Sequence, residues 1–274
     1  MRSQMEKAEL FRALHARPGA FIIPNPWDAG TAKLLAAMGF EALATTSLGL
    51  ALTLGGTNVS RDAIIENCRL ISAATDLPVS ADLENCGADD PKLAAEAIRL
   101  AAGAGAVGGS IEDSTGDPRQ PIYDFTLAVE RVQAAVEAAR ALPFPFTLTA
   151  RAENLLHGRN DLDDTIRRLQ AFEAAGADVL YAPGLNDIAQ IRQLVQSVKR
   201  PVNVLVSTGN AHLTQSELAR AGVKRISVGG ALARAAMGGF LRGAHELRDQ
   251  GAFTYGRDAA PFATINKLIK GETP

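Results

Sequence analysis

The chain has 274 residues, 47% of them hydrophobic and 21% charged, which is enough for one large α/β domain with a sizeable core and too apolar for disorder. A formal charge of −2 without a long basic run argues against nucleic acid or an anionic membrane as partner, and no apolar run approaches the roughly 20 residues needed to span a bilayer. Cys68 and Cys86 form no CxxC pair, and the N-terminus is a charged amphipathic stretch rather than a signal peptide, so a reducing, cytoplasmic location is expected.

A leading helix over 4–16 closes at Pro18-Gly19, and a strand/helix alternation then persists to the end of the chain. Strands are expected over 21–27, 41–47, 78–84, 106–112, 146–151, 178–182, 201–206 and 225–229. Helices are expected over 31–38, 61–74, 91–102, 125–141, 162–175, 188–198, 215–221 and about 232–248, with glycine at many helix ends. Eight β/α units in one domain (1–274, with the barrel core over about 18–250) predict a (β/α)₈ barrel of TIM type; an open doubly wound sheet does not ordinarily need eight. No GxGxxG or GxxxxGK[ST] element follows a strand, so dinucleotide and P-loop readings lack support. Gly229-Gly230 suits either an anion cradle or a close-packing turn. The tail over 251–274 is expected as a loop and then a short amphipathic helix over 261–270, which must cover its own barrel or a neighbour's.

Barrel enzymes place their chemistry at the C-terminal ends of the strands. Asp28 ends the first strand there, Thr45, Thr46, Ser47, Leu48 and Gly49 the second, and Asp82 and Glu84 the third. Glu112 and Asp113 end the fourth, Arg151 and Glu153 the fifth, Tyr181 the sixth, Asn203 and Ser207 the seventh, and Ser227 the eighth. Two acids two residues apart on a strand face the same side, so Asp82, Glu84 and Glu112 form a candidate set of hard oxygen ligands for a divalent cation. The plainer reading of each is a helix cap or a solvated loop acid. Arg151 suits either a bidentate grip on a substrate carboxylate or an ion pair with Glu112 or Glu153. The Ser47–Gly49 segment suits either an oxyanion-binding turn or a simple strand-to-loop turn. His157 and His212 read first as surface histidines.

Asn25-Pro-Trp-Asp-Ala-Gly30, Thr45-Thr-Ser-Leu-Gly49, Ala81-Asp-Leu-Glu84, Ile111-Glu-Asp113, Thr149-Ala-Arg-Ala-Glu153 and Gly176-Ala-Asp-Val-Leu180 together resemble the isocitrate lyase/phosphoenolpyruvate mutase superfamily over about 18–245. The resemblance implies that Asp82, Glu84 and Glu112 hold Mg²⁺ (or Mn²⁺), directly or through water. It implies that Ser47, Leu48 and Gly49 bind one end of a 2-oxo acid or its enolate, that Asp28 is a nearby site residue, and that Arg151 anchors a substrate carboxylate. It also implies a homo-oligomer, commonly a tetramer, whose final helices pack on or exchange with a neighbour.

The departures are specific. Lyases of the superfamily carry a loop cysteine as acid/base after the fourth strand, whereas Ser114-Thr-Gly-Asp-Pro-Arg-Gln-Pro-Ile-Tyr-Asp124 has none. Ser114 also stands where the mutase and phosphonate-hydrolase pattern has lysine, and Asn58 stands where an acid near the metal site is expected. The expected function is a Mg²⁺-dependent carbon–carbon lyase or decarboxylase acting on a small 2-oxo or 2-hydroxy di- or tricarboxylate through an enolate. The proton donor is left open, with Arg119 and His212 as candidates and the Ser114–Asp124 loop as lid. The alternatives are a phosphoenolpyruvate mutase-like enzyme and a 2-oxo-acid-binding protein with little turnover.

Overall fold

In the computed structural model, which describes residues 1–272, the alternation resolves into a (β/α)₈ barrel. In chain order the elements are α1 (Gln4–Ala16), β1 (Phe21–Ile23), α2 (Ala29–Ala37), β2 (Leu43–Ala44), α3 (Ser47–Thr53), α4 (Arg61–Ala74), β3 (Val79–Asp82), α5 (Pro91–Gly103), β4 (Gly108–Glu112) and α6 (Phe125–Arg140). They continue with β5 (Thr147–Arg151), α7 (Leu162–Ala174), β6 (Val179–Tyr181), α8 (Ile188–Ser197), β7 (Val202–Leu205), α9 (Gln215–Arg220), β8 (Arg225–Ser227) and α10 (Ala231–Gln250), then a 3₁₀ turn over Thr254–Asp258 and α11 (Phe262–Ile269). All pairings are parallel, in the order β1-β8-β7-β6-β5-β4-β3-β2.

The strands are shorter than the apolar runs that announce them. β1 ends before Pro24 and Pro26, which have no N–H for a ladder. The seam between β1 and β2 is closed by single bonds: Ala44 N–H donates to Pro24 O at 3.1 Å, and the buried Asn25 amide donates to Thr45 O at 3.0 Å. Asn25 Oδ1 in turn accepts from Val228 and Gly229 N–H at 3.0 and 2.9 Å, so one side chain ties the C-terminal ends of β1, β2 and β8 together.

Alternation along the strands divides apolar from polar residues in an unusual sense. Ile111, Leu148, Ala150, Leu180, Val204 and Ile226 face outward and pack on Ile98, Leu169, Phe172, Ile191 and Leu194 of the helices, forming the main core. The inward positions of the same strands carry buried Ser80, Ser110, Thr149, Asn203 and Ser227 where many barrels carry branched aliphatics.

The N-terminal end is plugged by α1. Its Phe11 is fully buried, and a Cβ on Gly108 would lie 2.8 Å from the Phe11 ring, so the interior of β4 has room for this aromatic only because residue 108 has no side chain. His15 packs edge-on against Phe11 and Phe21, with centroids 4.7 and 5.1 Å apart. Lys7 Nζ and Gln4 Nε2 donate to the carbonyls of Thr75, Ala102 and Ala106 and fasten the plug.

Three expectations are corrected here. Ser47–Gly49 is the first turn of a helix, α3, with Thr46 as its N-cap. Glu84 is not on a strand: β3 stops at Asp82, and Glu84 sits in a turn at φ 50°. The stretch 253–257 forms a 3₁₀ turn rather than an open loop. The terminal helix does form, and α11 packs against α2 of its own barrel while Phe262 stays 78% exposed.

Because Asn25 makes one hydrogen bond across the seam and two more to the end of β8, N25A is expected to lower unfolding free energy by about 2–3 kcal/mol. Urea denaturation followed by circular dichroism measures this, and a change below roughly 0.5 kcal/mol removes Asn25 from its closing role.

Candidate functional site

The C-terminal mouth opens onto a cavity of about 300 Å³ that runs down into the polar barrel interior, with Asp82, Glu84, Glu112 and Arg151 on its wall. Arg151 ends β5 and points inward. Its Nη1 lies 2.9 Å from Asp82 Oδ1, its Nη2 3.0 Å from Glu112 Oε2, and Nη2 and Nε lie 2.8 and 2.9 Å from Glu153 Oε1. The guanidinium also lies over the Tyr181 ring at 5.0 Å. Both sequence readings of Arg151 as an ion-pair partner therefore hold, for Glu112 and Glu153 together, with Asp82 as a third partner. Nε donates to Glu153 and one Nη1 N–H to Asp82, Nη2 lies at ion-pair distance from Glu112 and Glu153, and the second Nη1 N–H has no partner among the described residues.

Asp82 is fixed from the other side by α3. Ser47 donates to Asp82 Oδ2 through its N–H at 3.0 Å and its hydroxyl at 2.9 Å, while Asp82 N–H donates to Thr45 Oγ1 at 2.8 Å. Gly49 N–H goes to its cap, Thr46 Oγ1, at 3.3 Å. Leu48 N–H is thus the donor of this turn with no protein partner among the described residues. Gly49 is required at its position, since a Cβ there would lie 2.7 Å from Thr46 Cγ2 and 2.8 Å from Trp27 Cβ.

One cation faces four acids. Burial pushes the Glu112 carboxyl well above the ordinary range; Arg151 opposes this, but Glu153, Asp82 and Glu84 reinforce it. Glu84 is raised by burial and by Asp82. Burial disfavours the Arg151 charge as well, yet Glu112, Glu153 and Asp82 outweigh it and hold its pKa well above normal. Arg151 is therefore held in its charged form, and among these acids Glu112 is the one burial pushes furthest toward its neutral form. Among the described residues no three His, Cys, Asp or Glu side chains already surround a common point as metal ligands, because Asp82 and Glu112 turn toward the guanidinium. The donor set nevertheless fits a hard divalent cation: it is all carboxylate oxygen, lines a cavity, and carries more negative charge than Arg151 can balance.

Asp113 takes the opposite face of the chain from Glu112. It is buried against Arg168 Nη1 at 3.1 Å, accepts from Glu153 N–H at 2.7 Å, and burial raises its pKa to about 6. Asp28 caps α2, accepting from Thr31 N–H at 2.7 Å and Oγ1 at 2.9 Å, so its carboxylate is engaged outside the acid cluster. Asn203 lines the cavity, donating to Ser227 Oγ at 3.0 Å and accepting from Arg225 Nε at 2.9 Å. His157 and His212 are exposed, and Arg119 is exposed and paired with Asp117 at 2.8 Å. The thiols of Cys68 and Cys86 are buried and pushed up to about 11 and 12, which leaves them unreactive. Arg225 and Ser110 line the cavity without having been singled out in the sequence, since neither sits at a strand's last residue.

A larger hollow of about 580 Å³ at the opposite end is lined by Arg12, His15, Arg140 and Arg200, and its single acid, Asp178, is paired with Arg140. It lacks the acids of the mouth cavity.

Known proteins with the same fold accompany this site. A crystal structure of a candidate lyase/mutase from Burkholderia cenocepacia J2315 is 61% identical, superposes with a TM-score of 0.94, and covers 96% of this chain and 95% of its own. An uncharacterised Mycobacterium tuberculosis protein is 32% identical over 222 residues, 80% of this chain and 81% of the relative. Oxaloacetate decarboxylase of Ectopseudomonas mendocina is 29% identical over 238 residues, 83% of this chain and 79% of the relative. The family model for phosphoenolpyruvate phosphomutase matches residues 11–248, and the chain belongs to that family, within the isocitrate lyase/phosphoenolpyruvate mutase superfamily.

Proposed function

We propose that the protein is a Mg²⁺-dependent carbon–carbon lyase or decarboxylase for a small 2-oxo or 2-hydroxy carboxylate. The observation that carries this reading is the grouping of Asp82, Glu84 and Glu112 around Arg151 in one mouth cavity, beside the free Leu48 N–H. The similarity to an oxaloacetate decarboxylase supports the same class of substrate. Asp82, Glu84 and Glu112 would hold the metal, with Mn²⁺ acceptable to the same oxygen ligands. When bound, a divalent cation there supplies Lewis-acid polarisation of the substrate's carboxylate and adjacent oxygen.

The chain's own groups perform the rest. Ser47 keeps Asp82 aimed, since both its donors act on one carboxylate oxygen. Arg151 holds Asp82 and Glu112 in place from the opposite side, and its remaining Nη1 N–H can meet a substrate carboxylate. In a decarboxylation the carbon–carbon bond would break with release of CO₂, and in a 2-hydroxy acid with loss of the hydroxyl proton and release of a carbonyl fragment; in both the electron pair becomes an enolate, and a proton from solvent taken up at carbon completes the product. The Leu48 N–H faces the developing oxyanion, a use of backbone donors that costs no reorganisation. The Phe240, Phe253 and Phe262 side chains, all more than half exposed on α10 and the tail, support a homo-oligomer formed through that face.

Purified protein is expected to convert one of oxaloacetate, isocitrate, 2-methylisocitrate or substituted malates to a 2-oxo acid or glyoxylate, with activity lost in EDTA and restored by Mg²⁺. Tight metal-dependent binding of pyruvate with no turnover across that panel, phosphonopyruvate included, would leave a binding protein instead. D82N and E112Q are each expected to lower kcat/KM by roughly 100-fold or more, the scale of several kcal/mol of lost charge stabilisation, while folded yield is kept.

Since burial raises the Glu112 pKa and a bound cation would favour its carboxylate, Mg²⁺ binding is expected to release protons and to tighten as pH rises. Calorimetry in two buffers of different ionisation enthalpy reads that release directly, and E112Q is expected to reduce it. Equal binding heats in the two buffers would mean that no proton is released. Light scattering behind size exclusion is expected to give a multiple of the chain mass.

A further inference from the structure

Arg225 opens β8 on the same strand face as Ser227, so its side chain enters the barrel beneath the mouth. The residue is 5% exposed, and its Nη1 is buried with no hydrogen-bond partner. Nε donates to Asn203 Oδ1 at 2.9 Å, and among the described residues no carboxylate comes within ion-pair distance of the guanidinium. Arg151 and Arg168, by contrast, have carboxylates at 3.1 Å or closer. A buried cation without a counter-ion is costly, and such groups are normally paired. Burial lowers the Arg225 pKa to about 10, which leaves it charged at neutral pH. Thr149 Oγ1, also buried inside the barrel on β5, is likewise without a partner.

This orphan cation lines the same 300 Å³ cavity as Asp82, Glu84, Glu112 and Arg151. The cavity is therefore acidic at its mouth, where the proposed metal and Leu48 N–H would meet a 2-oxo or 2-hydroxy acid end, and cationic at its floor. A ligand anionic at both ends matches that polarity. A pyruvate-sized monoacid leaves Arg225 unbalanced.

We propose that Arg225, positioned by Asn203, is the seat of a second carboxylate of the substrate, so that the site selects dicarboxylates over monocarboxylates. This rests on the metal-site reading above for the orientation of the other end. The chemistry required at the floor is a small carboxylate or comparable monovalent anion, and its source is either the substrate or free salt.

The test is calorimetric binding to the full chain with Mg²⁺, comparing pyruvate with 2-oxoglutarate and 2-oxoadipate, dicarboxylates that are not β-oxo acids, in chloride-free buffer. Wild type is expected to prefer one of the dicarboxylates by about 10-fold or more in Kd, the worth of a charge-assisted contact. R225M is expected to bring the ratio to about one while moving the pyruvate Kd by less than about threefold. N203D, which would place a built-in carboxylate beside the guanidinium, is expected to abolish the preference as well, and it carries the test if R225M does not fold. Equal losses for pyruvate and dicarboxylate in the variants, or a preference unchanged by them, would overturn the proposal. Chloride that raises the melting temperature of wild type but not of R225M, with no dicarboxylate preference, would assign the seat to free anion and overturn the substrate assignment. Pyruvate binding that ignores Mg²⁺ would count against the metal site, while the dicarboxylate ratio still reports on Arg225.

Discussion

The site depends on a shortage of positive charge around Arg151. One guanidinium contacts Asp82, Glu112 and Glu153, all within 3.0 Å, and Glu84 adds a fourth acid beside them. Remove the arginine and these buried carboxylates face only one another. Keep it, and it still balances one charge. The negative charge left over is what a divalent cation would offset at the proposed metal site. A lysine would not serve: the fork of Arg151 reaches three acids in different directions, whereas an ammonium is a single point charge.

A cavity this polar in the middle of a barrel is affordable because the stabilising burial lies elsewhere. The outward faces of the strands and the helices carry the continuous apolar core, in which fully buried residues such as Leu148, Leu169, Phe172 and Ile191 each contribute about 1.5–3 kcal/mol. The inward faces are small and hydroxylic, which leaves space and donors for a ligand. Phe11 and His15 from α1 close the end away from the mouth. Barrel stability and barrel chemistry thus use opposite faces of the same strands.

Most of this architecture was legible in the sequence because strand and helix periods differ, and eight repeats of that difference leave few folds to consider. The acids at the ends of β3 and β4 and the arginine at the end of β5 were legible for the same reason, since strand ends can be counted. Three features were not. Ser47–Gly49 is short and has no helix-favouring pattern, so its helical turn follows from the Thr46 cap and from Asp82 accepting its donors, both tertiary. Asp28 has the same appearance at a strand end as Asp82, and only the Thr31 contacts show that it caps α2. Arg225 begins its strand, where barrel reasoning expects structural residues, and its orphaned Nη1 is a property of three-dimensional packing.

Glu84 shows how the scaffold maintains an unfavourable conformation for the sake of the site. Period two along β3 would aim it with Asp82, but it lies at φ 50°, and Cys86 follows at φ 63°, a region that costs non-glycine residues on the order of 1 kcal/mol or more each. What holds the turn is Arg131 of α6, fully buried, which donates to the carbonyls of Asn85, Ala88 and Asp89 and stacks 4.4 Å from the Tyr123 ring. Tyr123 in turn donates its hydroxyl to Asp89 at 2.5 Å, and Asn85 donates to Thr115 O in the loop after β4. The strained turn that carries Glu84 is therefore bonded on one side to the helix after β4 and on the other to the Ser114–Asp124 segment. Glu84 is thus tied to that segment through Asn85, whereas Asp82 is anchored separately by Ser47 and Arg151. Of the three acids, Glu84 alone sits in a left-handed turn, and its placement rests on the contacts that Arg131 and Asn85 make.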